Sequence, residues 1–343
     1  MKILIHGGRV DNVVLQALEH AGIQHTREND ASHSHVYCGI DKWLPSYYVN
    51  DEPWVALTNK ERAVGLLADA GLPTLPQINL QSKEQLMNCG FTSVLMKPSV
   101  NTGGVFRNKI LNETVFYKIF KSPQRLTQII DYTGSKFWDA LTEGEYIVQQ
   151  AAINDDGTTT HIHVNGLVNG RGECVWQSPM EGLRKPSAVG NIRLSGLSLN
   201  EMRDTYGVIE QAEKIVRHFN IANKFLKFQW VVSNGVAYCT DISYTYAQWK
   251  YGLFLSSEVL ADHMRFVYDM QPQITQQDNW CYLFKQYETG VDSVLHDSVA
   301  IKCGLKLIRT SQPCPFYAAS GDNEQQVLEK FSQFESQIKY KYA

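Results

Sequence analysis

Residues 225–243 read FLKFQWVVSNGVAYCTDIS. Two apolar runs, Phe225 to Val232 and Val236 to Ile242, flank Ser233-Asn234-Gly235. Asn-Gly between such runs predicts a tight β-hairpin, because both residues tolerate a positive φ. Asp241 and Ser243 are two apart and share one face of the second strand. Gln229 stands on the partner strand across the turn, so three oxygen-bearing side chains converge, with Lys227 on the same strand face as Gln229. Oxygen donors of this kind suit Mg²⁺, which takes few ligands from protein and the rest from phosphates and water. The same trio on an isolated hairpin also fits a solvated polar face.

Working outward, the stretch Val94-Leu95-Met96-Lys97-Pro98 predicts a strand that delivers a lysine at its end. Asn101-Thr102-Gly103-Gly104 follows, a small-residue loop able to turn backbone N–H groups toward phosphate oxygens. It is no Walker motif, since no Gly-Lys-Ser/Thr is present there, and alone it reads equally as a hairpin with a surface lysine. Further strands are expected at Lys109–Leu111 and Tyr146–Gln150. Upstream, Thr58-Asn59-Lys60-Glu61 fits a capping box, with Thr58 as cap, opening a helix that carries Ala63, Leu66, Leu67 and Ala70. Gly71 ends that helix and Pro73 prevents its resumption. The chain opens with a βα unit: Lys2 to His6, then a helix capped by Asp11, bearing Val14, Leu15, Leu18 and Ala21 and closed by Gly22. A long helix is expected over about 199–219. Strands are expected within 304–320, and an amphipathic helix over 324–340 with Val327, Leu328, Phe331, Phe334 and Ile338 on one face. That last part completes the C-terminal unit or forms an oligomer contact. His161 and His163 alternate on an expected strand and read as one polar face of it.

Taken in order, Asn59-Lys60 opening a helix that ends Ala-Gly-Leu-Pro-Thr, then Met96-Lys97-Pro98 with its glycine loop, then Tyr146 to Gln150, then the strand–Asn-Gly–strand ending at Ser243 resemble the ATP-grasp superfamily from about Leu57 to Tyr246. The resemblance implies an α/β (α+β) ATP-grasp fold. Its parts would be a short N-terminal βα domain over 1–57, an N-terminal ATP-grasp part over 58–152 with a lid over about 92–152, and a C-terminal part over 153–343 on a mixed or antiparallel sheet. It further implies that Lys60 and Lys97 contact nucleotide phosphates, that Gly103 and Gly104 lie in the loop closing over them, and that Gln149 begins the hinge. Gln150 and Ala152 would lend backbone groups to the adenine edge. Gln229, Asp241 and Ser243 would be the metal ligands, and Lys227 would contact the reacting phosphoryl group. The chain departs from the family in having one formal carboxylate in the metal trio. It also has no arginine after Ser243, a charge that Arg193, Arg184 or Lys185 would replace, Arg193 within a glycine-bearing polar stretch over 190–196.

The formal net charge of -3 gives no basic footprint for general nucleic-acid binding. No apolar run reaches bilayer-spanning length, and the N-terminal apolar run is too short for an export signal. Seven scattered cysteines without Cys-x-x-Cys spacing read as reduced thiols of a cytoplasmic protein. The expected activity is an ATP-dependent ligase using ATP and Mg²⁺ (or Mn²⁺). It would activate a small-molecule carboxylate as an acyl phosphate for attack by an amine or, second, a thiol, with amino acids or peptides among the substrates. A kinase-like phosphotransferase and a non-catalytic nucleotide-binding protein are the alternatives, the second favoured by the lone carboxylate.

Overall fold

The computed structural model describes residues 1–6, 12–27, 35–38, 56–98, 107–108, 113–114, 118–133, 146–153, 159–176, 180–184, 191–194, 205–244, 256–275, 281–286, 293–308, 316–322 and 324–337. The chain begins with β1 (Lys2–His6), α1 (Asn12–His20), β2 (Gln24–Thr26) and β3 (His35–Cys38), the strands forming a parallel sheet in the order β2-β1-β3. Ile3, Val14 and Leu18 share a core with Leu260 and Met264.

Helix α2 (Lys60–Asp69) starts one residue later than a Thr58 cap would place it. Asn59, in extended conformation, accepts from the backbone N–H of Glu61 at 2.9 Å and of Arg62 at 3.2 Å. The expected Thr58–Glu61 box is therefore not the cap. The Glu61 carboxylate instead accepts from Asn79 Nδ2 at 2.7 Å. Gly71, at φ +67°, ends the helix as expected.

A four-stranded antiparallel sheet follows, built from β4 (Gln77–Ile78), β5 (Val94–Pro98), β8 (Lys118–Phe120) and β9 (Tyr146–Gln150) in the order β4-β9-β5-β8. Between them come α3 (Lys83–Met87), the two-stranded pair β6 (Arg107–Asn108) and β7 (Glu113–Thr114), and α4 (Pro123–Thr133). The strand expected at 109–111 lies outside the described residues. Val94, Met96 and Val148 pack against Leu86, Leu126 and Ile130 on one face of this sheet, leaving the other for Leu95, Lys97, Ile147, Gln149 and Gln77.

The largest sheet is antiparallel and nine-stranded. Its members are β10 (Thr159–Val168), β11 (Cys174–Trp176), β12 (Met180–Arg184), β13 (Asn191–Leu194), β14 (Lys224–Ser233), β15 (Val236–Ser243), β16 (Cys281–Gln286), β17 (Lys306–Ile308) and β18 (Phe316–Gly321). They run in the order β15-β14-β10-β12-β13-β16-β18-β17, with β11 beside β10. Ile162, Val164, Phe228 and Trp230 bury one face against α2 and α5 (Val208–His218). Helix α5 is shorter than the expected 199–219 because Gly207, at φ +62°, interrupts it; residues 199–204 lie outside the description. Helices α6 (Ser257–Val267), α7 (Ser293–Lys302) and α8 (Glu324–Gln337) complete the described chain. On α8, Val327, Phe331 and Phe334 are buried, whereas Leu328 is 38% exposed. The i, i+4, i+7 stripe leaves it a quarter-turn aside, correcting its expected place on the core face. Ile338 lies outside the described residues. Among the described helices none is long and apolar enough to cross a membrane.

Candidate active site

The 225–243 hairpin forms as its sequence predicts. Asn234 and Gly235 both take positive φ, 51° and 75°, the two central positions of a type I′ turn. Pairing starts at Ser233↔Val236 and runs regularly to Trp230↔Cys239, then shifts by one to Gln229↔Asp241. Thr240 is the additional residue of this β-bulge, and its Oγ1 donates to the Gln229 carbonyl at 3.3 Å. The shift decides the chemistry of the hairpin. Without it, Gln229 would pair with Thr240, and Asp241 would pair with Phe228 on the core face. With it, Cys239 stays in the core beside Trp230 while Asp241 joins Gln229 on the opposite face.

Across the sheet this face carries two polar rows. Asp241 pairs with Gln229 and Gln229 with His163; Ser243 pairs with Lys227 and Lys227 with Asn165. His163 and Asn165 are buried, and the sequence reading did not assign them to the site. Alternation along β10 reveals a polar face, but only the register shows that it continues that of Gln229 and Lys227.

Two lysines descend on the end of β15 from separate elements. Lys60, the first residue of α2, is buried, and its Nζ lies 3.5 Å from Asp241 Oδ1. Lys97, near the end of β5 and 3% exposed, directs Nζ to the Thr240 carbonyl at 3.5 Å. Burial, then the nearby Lys60 charge, push the Lys97 ammonium down to about 7, with Asp241 opposing. The Cys239 thiol is pushed up by burial and by the Asp241 charge.

The trio expected from the sequence, Gln229, Asp241 and Ser243, fits a hard cation. Its donors are all oxygen, and the buried Asp241 Oδ1 has the Lys60 ammonium 3.5 Å away but accepts no hydrogen bond among the described residues. Where the sequence leads one to expect the hinge, Gln149 is buried, the Gln150 N–H donates to Pro76 O at 2.9 Å, and Ala152 packs with Leu75 and Val231. Ser233 Oγ donates to Ile153 O at 3.2 Å, tying hinge to hairpin. Gly103, Gly104 and Lys185 lie outside the described residues. Arg193 is in register with Glu181, and Glu181 with Ile162, one residue out of step with the row through His163 and Gln229.

No protein-family model matches this sequence, and no curated protein does. Solved structures do match. The N5-carboxyaminoimidazole ribonucleotide synthetase of Thermus thermophilus superposes with a TM-score of 0.63 at 11% identity, covering 100% of both chains. The ATP complex of the Aspergillus clavatus carboxyaminoimidazole ribonucleotide synthase gives 0.67 at 12%, covering 98% of this chain and 97% of that one. An L-amino acid ligase from Bacillus licheniformis gives 0.57 at 10%, over 81% of this chain and 70% of the other. The fold is the ATP-grasp fold that the sequence resembles.

Proposed function

We propose that this chain is an ATP-dependent ligase that activates a small-molecule carboxylate as an acyl phosphate, releasing ADP, and passes the acyl group to an amine. The observation that carries the reading is the convergence of two buried lysines, Lys60 and Lys97, on the strand end that holds Asp241. Burying two cations side by side opposes folding, and Lys97 yields part of its charge in response. Such an arrangement suits a polyanionic ligand. The matched structures include an ATP complex and an L-amino acid ligase, which supports the same reading.

Phosphoryl transfer to a carboxylate is mainly positioning and charge neutralisation. Lys60 and Lys97 would hold the phosphate oxygens. Lys227, in the row next to Gln229 and Asp241, would stabilise charge growing on the transferred group. Asp241, Gln229 and Ser243 would hold Mg²⁺ (or Mn²⁺), which when bound neutralises phosphate oxygens. Val231 and Ala152 would floor the base, since the face of β14 changes from polar to apolar between Gln229 and the hinge.

The test is ADP release across carboxylates, amino acids and small peptides, with hydroxylamine as the nucleophile. Hydroxylamine traps an acyl phosphate as a coloured hydroxamate. AMP with pyrophosphate would overturn the acyl-phosphate step, and a stable phosphorylated product would favour a kinase. One observation favours non-catalytic nucleotide binding: Asp241 is the single formal carboxylate in the trio. ATP binding without turnover in this screen would support it.

A further inference from the structure

Trp230 and Gln229 are consecutive on β14, yet their partners Cys239 and Asp241 are two apart on β15, so Thr240 pairs with no residue of β14. A strand lacking Thr240 would make the same two pairs on a regular ladder, with Cys239 still in the core and Asp241 still beside Gln229. The face that Asp241 occupies therefore accounts for the shift in register, not for the extra residue. What the extra residue brings is a peptide carbonyl outside the regular ladder. Strand β15 stands at the end of its sheet among the described strands, so such a carbonyl can meet a group from another element. It meets Lys97, whose Nζ is 3.5 Å away and which belongs to β5 of the four-stranded sheet. The Thr240 hydroxyl is used in the other direction, donating to the Gln229 carbonyl at 3.3 Å. One residue thus bonds back to the strand it does not pair with and forward to a second sheet.

We infer that Thr240 is a positioning residue for nucleotide phosphate, acting through Lys97, whose ammonium its main-chain carbonyl holds beside the carboxylate of Asp241. This rests on the nucleotide reading above. A lysine stem is flexible and must be ordered before its head can hold a phosphate oxygen. A partner already in place moves that cost from binding to folding. The ammonium carries three donors and accepts nothing, so one bond to a carbonyl leaves two donors for phosphate. Burial makes the acceptor matter more, because Lys97 is 3% exposed and water cannot readily replace the carbonyl. The peptide unit that carries this carbonyl ends at the Cα of Asp241 and is planar and stiff. The lysine expected to take phosphate and the carboxylate expected to take metal are thereby set by one rigid unit. A magnesium site completed by phosphate oxygens needs that spacing held, since the ion tolerates little departure from octahedral geometry.

The test measures Kd by calorimetry for the Mg complex of AMP-PNP, a non-hydrolysable ATP analogue, on wild type, a deletion of Thr240 and Thr240→Ala, each with Lys97 and with Lys97→Met. The deletion should weaken binding about tenfold, the scale of one hydrogen bond to a charged group. Thr240→Ala keeps the extra residue and its carbonyl, so its affinity should stay within about threefold of wild type while Tm falls with the lost hydroxyl bond. In the Lys97→Met background the deletion should cost nothing further, because the group it positions is gone. An equal loss in both backgrounds would show a purely structural role and overturn the inference, leaving the nucleotide site standing. A loss in Thr240→Ala that matches the deletion overturns it too, by assigning the effect to the side chain. Where the deletion does not fold, a lysine nitrogen-15 spectrum decides. The Lys97 ammonium, identified by its absence from Lys97→Met, should be protected from solvent exchange in wild type and in Thr240→Ala, and a rapidly exchanging signal overturns the inference. Failure of wild type to bind Mg-AMP-PNP overturns the nucleotide reading and this inference together.

Discussion

Lys60 Nζ lies 3.5 Å from Asp241 Oδ1, with the lysine side chain 3% exposed and the aspartate 14%. The lysine expected to hold phosphate and the only carboxylate expected to hold metal are thus ion-paired with each other. Partly desolvated pairs of this kind interact more strongly than surface pairs, yet remain exchangeable when a better-charged partner arrives.

Metal binding should consequently be weak without nucleotide. Lys60→Met frees the Asp241 carboxylate, so Mn²⁺ affinity of the nucleotide-free protein should rise by about tenfold, on the scale of a half-buried ion pair. ATP binding should be lost in the same variant. Mn²⁺ titration followed by electron paramagnetic resonance reads this directly, and unchanged Mn²⁺ affinity would show that the pair does not guard the carboxylate.

Lys97 supplies a proton-linked signature. With the group held at about 7, most of the amine is neutral at pH 8. Phosphate oxygens favour the ammonium, so ATP binding at pH 8 should take up as much as about one proton per nucleotide. Calorimetry in buffers of differing ionisation enthalpy measures the uptake. Lys97→Met should abolish it together with turnover; uptake that survives the substitution assigns the proton elsewhere.

The same lysine should make the empty protein less stable as pH falls. Its folded value is depressed from 10.5 to about 7, so between those limits the unfolded chain binds the extra proton. Stability contributed by the neutral amine is complete above 10.5, declines as pH drops through the window and levels out below 7. Lys97→Met should remove that slope and raise Tm at pH 7 by a few degrees, at about 1.4 °C per kcal/mol for a chain of 343 residues. Thermal melts of both proteins from pH 7 to 10 decide it, and parallel curves would refute it.

Asp241→Asn should lower kcat/KM at least about 100-fold, because charge stabilisation at a metal site is worth several kcal/mol. Gln229→Ala should cost far less, since it removes a neutral donor, and Mn²⁺ in place of Mg²⁺ should partly restore Asp241→Asn. Equal losses in the two variants would place the metal elsewhere.

Much of this architecture is legible in the chain because strong local signals coincide with tertiary need. Asn234-Gly235 dictates the hairpin, and Gly71-Leu72-Pro73 closes α2. Lys97 and Lys60 can be picked out because each sits at the start or end of a recognisable element. What stays hidden depends on partners distant in sequence. Thr58 and Asn59 are both competent caps, and only the backbone conformation selects Asn59. Gln77 sits in a strand two residues long, too short for any periodicity to mark it. His163 reaches the site by its register with Gln229, a relation between residues far apart in the chain. The bulge at Thr240 has no glycine to announce it.

That bulge also decides which polar group the core has to accommodate. Cys239 and Asp241 are two apart, and on an uninterrupted strand they would project together into the core, burying the carboxylate beside the thiol. A carboxylate in that position would sit among Phe228 and Trp230, where losing its hydration costs on the order of several kcal/mol. Because Thr240 takes up one residue of pairing, the thiol stays in the core with Trp230, kept protonated by burial, while the carboxylate is turned out to the polar face. A one-residue irregularity thus spares the core a buried charge and hands that charge to the face that Gln229 and Lys227 share.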